Sequence, residues 1–321
     1  MQLLKKILVT GALGQIGSEL TMGLREQYGN ANVIASSRRT KEGHEELMES
    51  GIFEIVDVAD GEKLSEVVKK HRIDTIVHLA AILSAVGEER PNQAWNVNMN
   101  GLYNVLEIAR EEDCAVFTPS SIAVFGDSTP PDNTPQDTIQ RPNTMYGVTK
   151  VAGELLCDYY YHRFGVDTRG VRFPGLISYK TLPGGGTTDY AVHIYYDALK
   201  HKRYTSFIGK GTKMDMMYMP DALDAIVQLL DADPSRLIHR NAFNVTAMSF
   251  DPEEIAASIR KKIPEFELDY DVDPVRQAIA NSWPNSMDDT AAREEWDWNP
   301  KYDLDAMTED MLAKLGEKLG L

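Results

Sequence analysis

Along the first 120 residues, short continuous apolar runs alternate with longer stretches whose apolar positions recur every three or four residues. K-K-I-L-V-T (5–10), N-V-I-A-S (32–36), F-E-I-V-D-V (53–58), D-T-I-V-H-L-A (74–80) and C-A-V-F-T-P-S-S (114–121) are the runs. Between them lie an amphipathic segment from Gln15 to Tyr28, a polar stretch, a helical pattern through Val67 and another from Gln93 to Glu111. Continuous apolar strands spaced by helical segments predict a parallel sheet covered on both faces. Because such crossovers are right-handed, the expected class is α/β with a doubly wound parallel sheet.

The second half is less regular. L-P-G-G-G-T-T-D-Y (182–190) interrupts it, N-A-F-N-V-T (241–246) returns to a strand pattern, and P-E-E-I-A-A-S-I-R-K-K-I-P (252–264) reads as a helix. The expected organisation is a doubly wound domain over 1–175, to which a segment near 214–247 returns. A smaller, mainly C-terminal capping domain then takes 176–213 and 248–321.

Composition narrows the class. The chain has 321 residues, 43% of them apolar, and no run approaches the ~20 apolar residues of a membrane-spanning helix. It carries no signal-peptide pattern, so a cytoplasmic location is expected. The formal charge of −16 disfavours a nucleic-acid partner. It also means that any phosphate site must be built from local dipoles. Cys114 and Cys157 stand far apart and are expected to be buried thiols, and the seven histidines show no metal-ligand spacing, so no metal is expected.

The first run ends in T-G-A-L-G-Q-I-G, with glycines at 11, 14 and 17. Where a strand turns into a helix, such glycines permit a tight turn, close approach of a pyrophosphate, and close helix–strand packing. Further on, Tyr146 and Lys150 are four apart, on one face of a helix. A phenol ionises near pH ~10, so a tyrosine base at neutral pH needs a downward shift of about three units, roughly 4 kcal/mol, from a nearby cation. Taken alone, the pair also fits a packed aromatic. Its order after the glycine loop and the strand end Ser120-Ser121 favours chemistry.

These motifs resemble the extended branch of the short-chain dehydrogenase/reductase superfamily. The resemblance implies a Rossmann fold in which Tyr146 is the base, Lys150 tunes it and anchors the cofactor ribose, and Ser121 holds the reacting oxygen. It also implies cofactor contacts from Gly11, Gly14, Gln15, Ile16, Gly17, Ser37, Arg38, Asp57, Val58, Leu79, Ala80, Ala81, Asn98 and Pro174. Ser37 stands where an acidic residue usually accepts hydrogen bonds from the ribose of NAD. With Arg38 and Arg39 following, the position fits NAD or, through a 2′-phosphate, NADP; the arginines also read as solvated surface residues.

A-I-L-S-A-V-G-E (81–88), R-F-P-G-L-I-S-Y-K (172–180), G-G-G-T-T-D-Y-A-V (184–192), M-M-Y-M-P-D-A (216–222) and S-W-P-N-S-M-D-D (282–289) resemble the short-chain family of L-threonine 3-dehydrogenases. That resemblance implies L-threonine as the substrate, with Ser84, Ser120, Thr187, Thr188 and Trp283 around it. Turn chemistry for Thr187 and Thr188, and core packing for Trp283, are the plainer readings. A nucleotide-sugar epimerase or dehydratase, and a non-catalytic cofactor sensor, are the competing functions. The helices Gln93–Glu111 and Val148–Phe164 resemble the pair through which the superfamily forms homodimers.

Overall fold

Each apolar run of the first half becomes a strand of one sheet. In the computed structural model, which describes residues 4–181 and 186–321, β1 (Ile7–Thr10), β2 (Val33–Ser37), β3 (Phe53–Ile55), β4 (Thr75–His78) and β5 (Ala115–Phe117) pair in parallel with a short strand at Thr168–Arg169. The order is β3-β2-β1-β4-β5 and then Thr168–Arg169. Val9 lies opposite Ala35 on one side and Val77 on the other. β1 and β4 are buried at every position, which is why their sequences are continuous apolar runs rather than alternating ones. The order reverses at β1, so the crevice for a ligand falls beyond the carboxyl ends of β1 and its neighbours. A doubly wound α/β fold is therefore present as expected.

The helix Gln15–Tyr28 follows β1 with the expected bounds. The helix expected over Gln93–Glu111 differs. It is reached through short helices at Ser84–Glu89 and Pro91–Trp95, widens into a π turn over Asn96–Asn100, and continues as Gly101–Glu112. Inside the π turn, Asn98 is 8% exposed, and its carboxamide accepts from Ile82 N (2.8 Å) and donates to Ile82 O (3.0 Å). These bonds ladder Asn98 to the chain leaving β4, a tertiary requirement that a helical repeat does not announce.

The helix bearing Tyr146 and Lys150 runs from Met145 to Phe164. Thr144 caps it by accepting from Gly147 N (3.0 Å), and Gly165 ends it in the left-handed region at φ 74°. Glu88 accepts from Met145 N (2.6 Å), tying this helix start to the Ser84–Glu89 helix.

By its contacts the chain divides into two compact units. The first comprises 1–124, 143–172 and 223–243, and the second 125–142, 173–222 and 244–321. The expected boundaries had kept 125–142 with the nucleotide domain. Within the second unit, Met214–Tyr218 pairs in parallel with Gly175–Ile177 and antiparallel with Met248–Phe250. Tyr190, Tyr195, Ile255 and Met311, from three helices, are buried in the same cluster as Ile177 and Met216 of this sheet. Cys114 and Cys157 are both free and buried, as expected. No helix among the described residues is long and apolar enough to cross a membrane.

Candidate active site

The glycine loop is shaped as its spacing requires. Gly11 sits at φ +68°, and a Cβ there would lie 2.7 Å from Ala80 N. A Cβ at Gly17 would lie 2.3 Å from Gly11 O. Only glycine allows these approaches, and they leave the N-terminus of the Gln15–Tyr28 helix with no side-chain cap and no acidic residue in its first turn. Its free N–H groups and dipole therefore favour an anion. Gln15 and Ile16, the first two helical residues, are half-buried at this turn.

A groove of about 250 Å³ continues from the loop, lined by Gly11, Gly14, Ser37, Arg38, Asp57, Val58, Leu79, Ala80 and Ala81 among others. These are most of the positions expected to hold a dinucleotide, brought together by the carboxyl ends of β1 to β4. The uncapped helix at one end and the glycine cradle fit a pyrophosphate. Arg38, Arg39 and Lys41 all line the groove beside Ser37. Lys41 Nζ donates to Leu13 O (3.3 Å), and Asp57 accepts from Ala59 N (3.0 Å). Pro174 is buried in the second unit.

Tyr146 and Lys150 lie on one face of their helix as expected, with Lys150 Nζ 5.5 Å from the centre of the Tyr146 ring. Ser121, at the end of the short strand Ser120–Ser121, shares a side-chain hydrogen bond with the Tyr146 phenol and accepts from Ala123 N (3.2 Å). Lys150 donates to Pro119 O (2.6 Å), which fixes the ammonium beneath the same strand end. The electrostatic expectation needs correcting. Burial pushes the Tyr146 phenol up to about 12, outweighing the bond with Ser121, and brings Lys150 down to about 8. Desolvation penalises both charged forms, so the protein alone does not make the phenol acidic.

Several groups hold this pair from behind. Glu154, one turn beyond Lys150, accepts from Arg172 Nε (3.0 Å) and Nη2 (2.9 Å) and from Ser120 Oγ. Glu154 and Arg172 are 8% and 7% exposed. Ser120, expected at the substrate, spends its hydroxyl on this ion pair. The buried imidazole of His78 shares a 2.9 Å hydrogen bond with Thr10 Oγ1, and burial together with the Lys150 charge lowers it to about 3, so it is neutral. Asn98 also donates to Thr149 Oγ1 (3.1 Å), which donates to Tyr146 O (2.8 Å).

Glu154, Arg172 and the Thr149 link were not among the sequence candidates. Glu154 had a legible signal, since Tyr146, Lys150 and Glu154 repeat at four-residue spacing along one helix face. Arg172 had none, because it comes from a separate strand.

Ser84 is 8% exposed at the start of the Ser84–Glu89 helix, whose Gly87 packs against Tyr146. Thr187, 3% exposed, and Thr188 lie in a short turn of the second unit. Trp283 is half-buried against that unit's core. Gly184 and Gly185 of the glycine-rich loop lie outside the described residues. Among the described residues there is no group of three or more His, Cys, Asp or Glu side chains arranged to hold a metal ion.

A parallel doubly wound sheet, an uncapped helix start behind a glycine turn and a Tyr–Lys–Ser cluster are the features of a nicotinamide-dependent oxidoreductase. The chain belongs to the NAD dependent epimerase/dehydratase family, whose profile matches residues 7–245. A protein of Staphylococcus haemolyticus described as an uncharacterized epimerase/dehydratase is 57% identical over 98% of this chain and 99% of its own. An L-threonine dehydrogenase from Clostridium difficile superimposes with a TM-score of 0.97 and 69% identity, covering 99% of both chains. A metagenomic L-threonine 3-dehydrogenase described as monomeric matches with a TM-score of 0.92 and 45% identity, over 97% of this chain and 99% of that one.

Proposed function

We propose that the protein oxidises the 3-hydroxyl of L-threonine to 2-amino-3-ketobutyrate. The observation that carries this reading is the Tyr146–Lys150–Ser121 cluster, whose Lys150 lines a cavity that shares Ala80 and Ala81 with the groove. It is supported by end-to-end likeness to L-threonine dehydrogenases at up to 69% identity.

The groove from Gly11 to Ser37 holds the cofactor, with Asp57 and Val58 toward its adenine and Leu79, Ala80, Ala81 and Asn98 toward its nicotinamide half. When bound, the oxidised nicotinamide would supply the acceptor for hydride. Tyr146, as phenolate, removes the proton from the substrate hydroxyl. Ser121 donates to the same oxygen and orients it, while the Lys150 ammonium stabilises the phenolate. Since burial raises the phenol to about 12, the Lys150 ammonium has to offset that rise for the base to work near neutral pH. Ser84 supplies a short hydroxyl donor for the amino-acid carboxylate; Thr187, Thr188 and Trp283 of the second unit are proposed as substrate residues on the resemblance to L-threonine dehydrogenases alone. Ser120 supports this site through Glu154.

NAD is the proposed cofactor, with NADP the competing choice because Ser37 is followed by two arginines. The proposed assembly is a homodimer through the helices Gly101–Glu112 and Met145–Phe164. Tyr103, Leu155 and Tyr159 on these helices are 50%, 63% and 53% exposed, large apolar groups to leave in water. A monomeric mass in solution scattering would contradict this assembly.

Initial rates with L-threonine and each cofactor test the activity. Turnover is expected, and Tyr146→Phe should lower it by at least about 10²-fold, the usual contribution of a general base, while cofactor binding persists. The family's name supports a second reading, epimerisation or dehydration of a nucleotide sugar. Turnover of such a sugar with none of L-threonine would establish it instead.

A further inference from the structure

Tyr146 is only the second residue of its helix, Met145–Phe164. The first N–H groups of a helix have no partner within it, and such turns fray at little cost. A base that must come within about 2.6–3.2 Å of a substrate hydroxyl cannot belong to a fraying turn. Two side chains flank Tyr146 and close the turn. Thr144 Oγ1 accepts from Gly147 N (3.0 Å), and Glu88 Oε1 accepts from Met145 N (2.6 Å). The threonine is an ordinary local cap. The glutamate is not local, since it comes from a helix 57 residues earlier.

In that helix, Ser84–Glu89, Ser84 and Glu88 are four apart and share one face. Ser84 and Gly87 are its buried residues, and a Cβ at Gly87 would lie 3.9 Å from both the Cβ and the N of Tyr146. The helix that carries Ser84 therefore rests on the turn that carries the phenol. The chain entering it is fastened to the same turn by a second route. Asn98 bonds Ile82 N and O (2.8 and 3.0 Å) and donates to Thr149 Oγ1, which donates to Tyr146 O (2.8 Å). The segment 82–88 is thus tied to the start of the Tyr146 helix at both ends, and the Glu88 tie is the exposed one. A single exposed bond adds little to the stability of a chain this long, so its effect is local.

We infer that Glu88 is a positioning residue, whose carboxylate sets the spacing between Tyr146 and an amino acid held at Ser84. The inference rests on the L-threonine reading, in which Ser84 donates to the substrate carboxylate and Tyr146 takes the proton of the 3-hydroxyl. In that substrate the carboxylate and the hydroxyl-bearing carbon are separated by a single carbon. The two protein groups must therefore keep a matching separation, and a misplacement of about 1 Å can cost about 10²-fold in rate. Glu88 acts through Met145 N and Tyr146, not on the substrate.

Glu88→Ala removes the tie, whereas Glu88→Gln keeps an acceptor oxygen for Met145 N. Glu88→Ala should lower kcat with L-threonine at least about tenfold and leave cofactor affinity, by fluorescence titration, near wild type. Glu88→Gln should recover most of that rate. In the cofactor-free protein, amide hydrogen exchange over residues 145–147 should quicken about tenfold in Glu88→Ala and stay near wild type in Glu88→Gln. An unchanged kcat in Glu88→Ala, an equal loss in Glu88→Gln, or exchange that does not respond would overturn the proposal. A loss of kcat matched by a loss of cofactor affinity would overturn it too, because the defect would then be a general one. Faster exchange in Glu88→Ala, in a protein whose wild type does not oxidise L-threonine, would keep the tie and refute the substrate reading instead.

Discussion

Replacing Arg172 with methionine keeps most of the side-chain volume and removes both charge-assisted bonds to Glu154. Those bonds measure 3.0 and 2.9 Å, and both side chains are almost wholly buried. The variant therefore strips a buried carboxylate of its guanidinium, a change that costs about 3–5 kcal/mol in proteins generally. At roughly 2 °C per kcal/mol for a chain this long, the thermal midpoint should fall by about 6–10 °C. Adding Glu154→Leu removes the stranded charge. Ser120 then loses its acceptor, which costs about 1–3 kcal/mol. The double variant should therefore be more stable than Arg172→Met alone, and the cycle should give a coupling of about 2 kcal/mol or more. Urea unfolding of all four proteins measures it. A single-variant loss below about 1 kcal/mol, or a double variant as unstable as the two single losses combined, would refute the view that this pair is a buried and mutually dependent brace.

Gly11→Ala should be poorly tolerated, because a Cβ would press on Ala80 N at a residue held at φ +68°. At least about 1–2 kcal/mol of stability should be lost from the backbone conformation alone, together with most cofactor affinity; a variant binding cofactor normally by fluorescence titration would contradict the cradle. Lys150 lies at about 8 in the folded protein against 10.5 for an ordinary lysine, so the unfolded chain binds more protons in that window. Its contribution to cofactor-free stability should therefore rise from pH 8 to 10.5, and Lys150→Met should lack that rise in denaturant midpoints measured across the range. Ser37→Asp should move preference from NADP toward NAD if Arg38 and Arg39 hold a 2′-phosphate, and a wild type already strongly selective for NAD in initial rates would remove the premise.

By itself the sequence determined the parts whose physics is local. The apolar runs specified β1, β2, β4 and β5, because strands covered on both faces favour a nearly continuous apolar sequence. Gly11, Gly14 and Gly17 announced the phosphate turn, because each answers a backbone requirement within a few residues. Tyr146 and Lys150 were legible because helical spacing places them on one face.

Tertiary structure decided what depends on distant segments. Arg172 reaches Glu154 from a strand 18 residues away, and Asn241 meets Asp158 across 83. The π turn at Asn96–Asn100 answers a bond to Ile82, not a local propensity. The phenol's raised pKa is the clearest case. Spacing alone predicted that Lys150 would make Tyr146 acidic, but burial is a property of the assembled fold, and desolvation acts on the cation as much as on the base it serves.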